Sequence, residues 1–187
     1  MINMNDKYAS NFYEILTALA KNDEIKSIVI ELIKTKHIPG KITEEQTRKK
    51  KFRIVLEQLV NGEIRTLESG YNKVATGIPE STSKYEGNHS VFSRDWAERH
   101  VRTQLSRFYN QAILTFLIKS GEKKCFVPHS PTEDASSICT IYMAGKEHEI
   151  KPIYNKLIEI YENEKWDGKA RIIPQHPNCT HVICPAK

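Results

Sequence analysis

The feature of this sequence that most constrains its fold is a long run of apolar residues at helical spacing in the second half of the chain. Large side chains recur every three or four positions through this run. Its members are Trp96, Val101, Leu105, Phe108, Tyr109, Ala112, Ile113, Phe116 and Leu117. Ser93 is a candidate N-cap and Gly121 a candidate C-terminal stop. We therefore expect one long helix that runs through the core of this half.

The first third of the chain predicts shorter helices separated by turns. Asp23 is a candidate cap for one of them. Another begins with a capping-box pattern, in which Thr43 is followed three residues later by Gln46, and it ends at Gly62. This region is therefore expected to be helical.

The sequence pattern after the long helix is typical of short strands. Apolar runs bounded by turn residues lie at 125–128, 138–143 and 170–173, with a last candidate strand at 180–185 and one helix at about 152–163. The predicted fold class is α+β, a helical N-terminal part followed by a small sheet packed on a long helix.

A shift in composition divides the chain. Residues 76–92 are rich in Gly, Pro, Ser, Thr and Asn, which is typical of a linker or a long surface loop. We place the boundary there, between a helical N-terminal region at 1–75 and an α+β domain at 93–187. A chain of 187 residues suits one domain, or one domain with a helical extension.

Composition excludes several classes of protein. With 39% hydrophobic and 27% charged residues, the chain is neither disordered nor fibrous. No apolar stretch approaches the roughly 20 residues that a membrane span needs, and the first residues lack the basic-then-apolar order of a signal peptide. We therefore expect a cytoplasmic protein with no membrane partner.

Charge is informative through its distribution. A formal net charge of +5 is too small to identify a nucleic-acid-binding protein by itself. Basic residues nevertheless cluster inside one predicted helix, at Arg48, Lys49, Lys50, Lys51 and Arg53. Two interpretations stay open: a solvated helix face, or a surface that contacts DNA phosphates or an acidic partner.

Cysteines and histidines concentrate in the last third of the chain. Without a secretion signal, the cysteines are expected to be thiols or metal ligands. The best candidate ligand set is Cys139, His176, Cys179 and His181, with Cys125 or Cys184 as a substitute. Zinc suits this mixture because it accepts imidazole and thiolate in tetrahedral geometry. The alternative is that the cysteines are small buried hydrophobes beside hydrogen-bonded histidines.

Catalytic zinc sites fit the sequence less well. A hydrolytic site needs an open coordination position and a general base near it. The deaminase pattern is excluded by spacing, because His148 and Glu149 are adjacent and no PCxxC follows them. A structural site is the zinc site that the sequence favours.

Three short motifs follow one another between residues 95 and 185. The first, in HVRTQLSRFYNQAILTFLIKSG, supplies Arg102, Thr103, Tyr109, Asn110 and Gly121. The second, in EDASSICTIYMAGK, supplies Asp134, Cys139 and Gly145. The third, IPQHPNCTH, supplies Pro174, His176, Pro177, Asn178, Cys179 and His181. In order and spacing this half resembles the head-morphogenesis domain of tailed bacteriophages, the Mu F-like minor head protein family.

The chain departs from the family pattern at three positions. Gln104 stands where the family usually has glutamate, Ser136 where it has the first cysteine of a Cys-x-x-Cys, and His181 where it has the last cysteine. A four-ligand site then survives only if His176 is a ligand. The resemblance implies a non-enzymatic minor head component that associates with the portal or capsid and with packaged DNA, either in a virion or as a host-encoded relative.

Two other functions stay open. One is a small nuclease or toxin-like enzyme, in which His176 or His181 moves a proton and Arg102 or Arg171 holds a phosphate. The other is a nucleic-acid-binding module that uses the basic helix, with zinc as scaffold. Arg102 and Thr103 also have a purely structural interpretation, as a surface ion pair and a hydroxyl in the helix groove.

Overall fold

The computed structural model describes residues 7–186 and has an α+β fold, as the sequence predicts. The helices are α1 (Ile15–Ala20), α2 (Asp23–Thr35), α3 (Gln46–Asn61), α4 (Leu67–Gly77), α5 (Trp96–Lys119), α6 (Ile138–Tyr142) and α7 (Ile150–Tyr161). The strands are β1 (Lys124–Val127), β2 (Lys146–Glu149) and β3 (Cys184–Pro185). Short 3-10 helices lie at Phe12–Glu14, Lys41–Thr43 and Glu80–Thr82. No helix within residues 7–186 is both long and apolar enough to cross a membrane.

The predicted long helix is confirmed as α5, which is the central element of the fold. α2, α4, α7 and β3 all pack against it, so that polar side chains such as Arg107 are buried along with the apolar ones. The predicted N-cap, Ser93, is wrong: Asp95 precedes the helix, and the Ser93 carbonyl oxygen accepts from the Trp96 amide at 3.1 Å. Gly121 follows the helix with φ 80°, a conformation that favours glycine.

Two predicted helix starts in the N-terminal part are wrong by a few residues. α2 is capped by Asn22, whose side-chain oxygen accepts an amide of the first turn at 3.2 Å, so Asp23 is the first helical residue. α3 is capped by the Glu45 carboxylate, which accepts two amides of the first turn, while Thr43 lies in the preceding 3-10 helix. In each case the side chain of a neighbouring residue, and not that of the predicted cap, accepts hydrogen bonds from the free amides at the start of the helix. Gly62 ends α3 in the left-handed conformation, as predicted.

The sheet is small and antiparallel, with β1 between β2 and β3. β1 confirms the strand predicted at 125–128, and β3 forms only the end of the one predicted at 180–185. The strand predicted at 138–143 is wrong, because the Ser137 hydroxyl caps a helical turn there and α6 results. The strand predicted at 170–173 is also wrong, since its isoleucines fill the core from irregular chain. The polar strand β2 was not predicted.

The segment 76–92 holds the end of α4, one 3-10 helix and a series of turns. Arg48 of α3 anchors its start by donating to the carbonyl oxygens of Ile78 and Pro79 (2.9 and 2.8 Å) and to the Thr82 hydroxyl. One hydrophobic core continues across this segment, with side chains from α2, α3, α5 and α7.

Candidate metal centre

Two cysteines and one histidine meet in the interior of the second half. The Sγ atoms of Cys139 and Cys179 and a ring nitrogen of His181 lie within 4.8 Å of one another, and all three side chains are buried. Cys139 belongs to α6, whereas Cys179 and His181 lie on the chain that leads into β3. These three ligand atoms could hold a metal ion.

His176 lies beside this cluster as a fourth candidate ligand. Its Nε2 atom is 3.4 Å from the Sγ atom of Cys139, and its ring is half-buried. A tight turn brings it there, in which the Cys179 amide donates to the His176 carbonyl oxygen at 3.0 Å. The fold therefore gathers three of the four predicted metal ligands within 4.8 Å of one another, whereas His176 contacts Cys139 from outside that group.

A carboxylate that the sequence did not identify orients His181. Glu133 Oε2 lies 2.9 Å from His181 Nε2, and His181 Nδ1 lies 3.8 Å from Cys179 Sγ. One ring nitrogen thus faces the carboxylate and the other faces the sulfur atoms. This is the carboxylate–histidine arrangement that commonly supports bound metals.

Glu133 is itself held in place by its neighbours. The Ser130 amide donates to Oε2 at 2.9 Å, and His129 Nδ1 lies 2.7 Å from Oε1. Gly145 leaves room for the His129 ring, because a Cβ atom there would lie 2.5 Å from His129 Nε2, and its φ of 70° also favours glycine. Burial alone would raise the pKa of Glu133, but these hydrogen bonds, with that to His181, hold it below its usual range.

The two central thiols differ in pKa. The hydrogen bond from Cys179, followed by those of His176 and His181, lowers the pKa of Cys139 far below its usual range although burial opposes this. The same contact with Cys139, together with burial, raises the pKa of Cys179. The contact between the two sulfur atoms thus favours the thiolate form of one member of the pair. A thiolate is the form of cysteine that binds metals.

The two substitute ligands are not brought to this cluster. Cys125 on β1 donates to the His148 carbonyl oxygen at 3.6 Å, and Cys184 on β3 donates to the Ala9 carbonyl oxygen at 3.1 Å. Burial raises the pKa of each thiol to about 12. These two cysteines therefore behave as buried thiols.

Two of the motif residues, Asn110 and Asp134, shape the fold around the cluster. The buried Asn110 accepts from the Ile183 amide at 2.7 Å and donates to the Ser106 carbonyl oxygen at 2.7 Å, which ties the chain before β3 to α5. Asp134 accepts from the amide and the hydroxyl of Ser136 at 2.9 and 2.7 Å. It thereby forms the turn that leads into α6.

The arginine-threonine pair is also engaged within the fold. Arg102 is only 8% exposed, and its guanidinium packs over the Phe12 ring at 4.8 Å with Nη1 3.5 Å from Glu98. Thr103 faces the helix groove, where its hydroxyl donates to the Arg99 carbonyl oxygen at 2.7 Å. Arg102 thus joins the N-terminal 3-10 helix to α5 and also forms the predicted ion pair, with the partly exposed Glu98, from a largely buried position.

The arginines of the nuclease hypothesis have other neighbours. Arg102 is packed as described, and the Arg171 guanidinium lies 4.5 Å from the Tyr142 ring centre. Within residues 7–186, neither arginine forms a hydrogen bond or ion pair with His176 or His181.

The basic helix is only partly a surface. Lys50 and Lys51 are exposed, but Arg48 and Lys49 are buried, and Arg53 donates to a carbonyl oxygen just after α2 at 2.7 Å. The prediction of phosphate contact therefore depends on Lys50 and Lys51.

Comparison with known proteins gives no assignment: no family model matches the chain, and neither the curated proteins nor the solved structures contain a significant match.

Proposed function

We propose that this chain is a zinc-stabilised minor head protein of the phage head-morphogenesis type, without enzymatic activity. The observation that carries the proposal is the group of Cys139, Cys179 and His181, with His176 beside Cys139. Cys139 comes from the second motif of the resemblance, 37 positions before His176, and the other three come from the third. For two motifs to bind one metal ion, their ligand side chains must lie close together in the fold.

Zinc is the metal that suits these ligands. Thiolate and imidazole together favour zinc among the common metals, and four protein ligands leave no open position for a substrate. The burial of both sulfur atoms agrees with a closed, structural site. Zinc, when bound, supplies a cross-link between α6 and the chain before β3.

Such a cross-link has a clear structural purpose in this fold. Between the end of α7 and β3, residues 162–183 contain no helix or strand. They are held instead by buried apolar side chains and by individual hydrogen bonds such as that from the Ile183 amide to Asn110. A metal at Cys139, Cys179 and His181 would fix this irregular chain against α6.

The alternative, a nuclease that acts through His176 or His181, stays a prediction. Phosphodiester cleavage needs a group that can move a proton near neutral pH. With both imidazoles bound to zinc, neither imidazole is free to transfer a proton. A structural role therefore fits the proposed coordination better.

The resemblance also suggests where the protein acts. We place it with the portal or capsid, during assembly in the host cytoplasm and afterwards in the virion, with α1 to α4 as the docking part. Lys50 and Lys51 are the exposed members of the basic cluster on α3, and we propose that they contact packaged DNA.

Co-assembly tests this role. The chain would be produced together with the portal and capsid proteins of the same phage, and the particles sedimented through a density gradient after nuclease treatment. We expect the chain to migrate with portal or capsid. Its recovery only at the top of the gradient, together with its absence from purified virions, would contradict the proposal.

A further inference from the structure

His176, which contacts Cys139 of the metal centre, also lines a cleft. The cleft has a volume of about 440 Å³ and is bordered by the start of α5, the turn at residues 90–93, the end of α7 and the His176–Pro177 turn. Trp96 and Trp166 both line it, and they are the two tryptophans of the chain. A cleft of this size accommodates a small molecule.

Gln104 gives this cleft an unpaired hydrogen-bonding group. Its side chain lines the cleft and is only 2% exposed, and its Oε1 atom is buried with no hydrogen-bond partner. Buried polar atoms are rarely left unpaired, because each costs free energy that a partner would recover. A carboxamide presents an acceptor and a donor side by side. A ligand that pairs with this carboxamide needs a hydrogen-bond donor and an acceptor side by side on one edge.

The walls favour a planar and anionic ligand. Trp166 is 64% exposed, which is unusual for the largest apolar side chain and leaves its ring available for stacking. Arg99 lines the cleft, is exposed, and forms no ion pair within residues 7–186. The carboxylate in the lining, Glu164, lies 2.6 Å from His37 Nε2, a contact that is an ion pair only when His37 is protonated. Arg99 is the cation of the lining that can meet a phosphate.

We propose that this cleft binds an adenine nucleotide, with the base edge on the Gln104 carboxamide, the ring against a tryptophan and the phosphate on Arg99. Glutamine pairs with adenine through two adjacent hydrogen bonds, and bases stack on aromatic side chains with useful affinity. The same chemistry is offered by a free nucleotide and by an unpaired DNA strand. This binding activity goes beyond the structural role proposed above and does not depend on head assembly.

Tryptophan fluorescence measures this binding directly, because both tryptophans line the cleft. The protein as purified, with its metal, would be titrated at low salt with dAMP and, separately, with a ten-residue oligo(dA). Saturable quenching by dAMP assigns the site to free nucleotides as well as strands, whereas quenching by oligo(dA) alone assigns it to unpaired DNA. The absence of saturable quenching with both ligands, with dAMP raised to about 10 mM, would overturn the proposal.

Three variants locate the binding. Gln104→Leu removes the amide at nearly constant volume and is expected to weaken binding about tenfold or more. Arg99→Ala is expected to weaken binding and to reduce its salt dependence, while Arg65→Ala, an exposed arginine outside the cleft, should bind like the parent protein. Equal affinity of the parent and Gln104→Leu would overturn the proposal.

Should Gln104→Leu fail to fold by circular dichroism, Trp166→Ala replaces it, since an exposed side chain can be removed without harm to the core. The same reduction of about tenfold is expected for this variant, measured by calorimetry. Unchanged affinity of Trp166→Ala would overturn the proposal. Because none of these variants alters a proposed zinc ligand, a failure here leaves the structural role untouched.

Discussion

Among single residues, His181 depends on its neighbour Glu133 for its orientation. With Nε2 2.9 Å from the Glu133 carboxylate, the Nδ1 atom is the one that faces the Cys179 sulfur atom. A carboxylate in this position fixes the orientation of a metal-bound imidazole and makes it a stronger ligand. Glu133 is therefore expected to contribute to metal affinity without touching the metal.

Replacement of this carboxylate tests its role. Glu133→Gln keeps the size of the side chain but removes its charge, and we expect zinc affinity to fall about 10- to 100-fold, measured by competition with a chromophoric chelator. Glu147→Gln is the matched control, because Glu147 is exposed on β2 and faces the exposed Lys124 at 3.4 Å. Equal affinities for the two variants would show that Glu133 does not support the metal.

A second residue-scale prediction concerns the Asn110 side chain. Asn110→Ala leaves the buried Ile183 amide without its acceptor, so the free energy of unfolding should fall by about 1–3 kcal/mol in urea denaturation. Asn72→Ala, an exposed change on α4, should stay within about 0.5 kcal/mol of the parent. Two variants of equal stability would argue against Asn110 as the tie between α5 and the chain before β3.

Residue types and spacing were enough to predict that Cys139, Cys179 and His181 lie together, because cysteine and histidine are uncommon and are concentrated in two motifs. The same reasoning did not find Glu133, since glutamates are frequent and a contact with a histidine 48 positions away leaves little trace in the sequence. The His129–Glu133 spacing was the available signal. The burial of Arg48 could not be predicted either, because the residues around it form a basic run that is typical of an exposed helix face.

At the scale of elements, helical periodicity predicted α5 and most of the N-terminal helices, because a long repeat of buried side chains is a strong signal. Short elements were harder. The residues of α6 have strand-like composition, but Cys139 is the buried residue of this helix, and the Ser137 cap decided its conformation. β2 escaped prediction because its sequence, KEHE, is polar and its side chains are mostly exposed.

The contact between α3 and the segment after α4 yields a prediction at this scale. Arg48→Met removes the donors to Ile78, Pro79 and Thr82 and should lower the free energy of unfolding by about 2–4 kcal/mol. Limited proteolysis within residues 76–92 should also become faster. Lys50→Met, an exposed change on the same helix, is the control. If the two variants resist denaturant and protease alike, Arg48 is not the anchor of this segment.

Over the whole molecule, one hydrophobic core joins the helical N-terminal part to the α+β part through α2, α3, α5 and α7. A shared core implies that neither part loses its packing alone. We expect a single unfolding transition, with circular dichroism and tryptophan fluorescence giving the same midpoint. Two separated transitions would show that the parts on either side of residues 76–92 unfold independently.

The central claim is that Cys139, Cys179 and His181, together with His176, hold zinc, and elemental analysis of the purified protein tests it most directly. We predict about one zinc per chain, lost in Cys179→Ser together with part of the thermal stability. Cys184→Ser, a change of the same kind outside the cluster, should keep the metal. Purified parent protein without zinc, or zinc retained in Cys179→Ser as fully as in Cys184→Ser, would contradict the account.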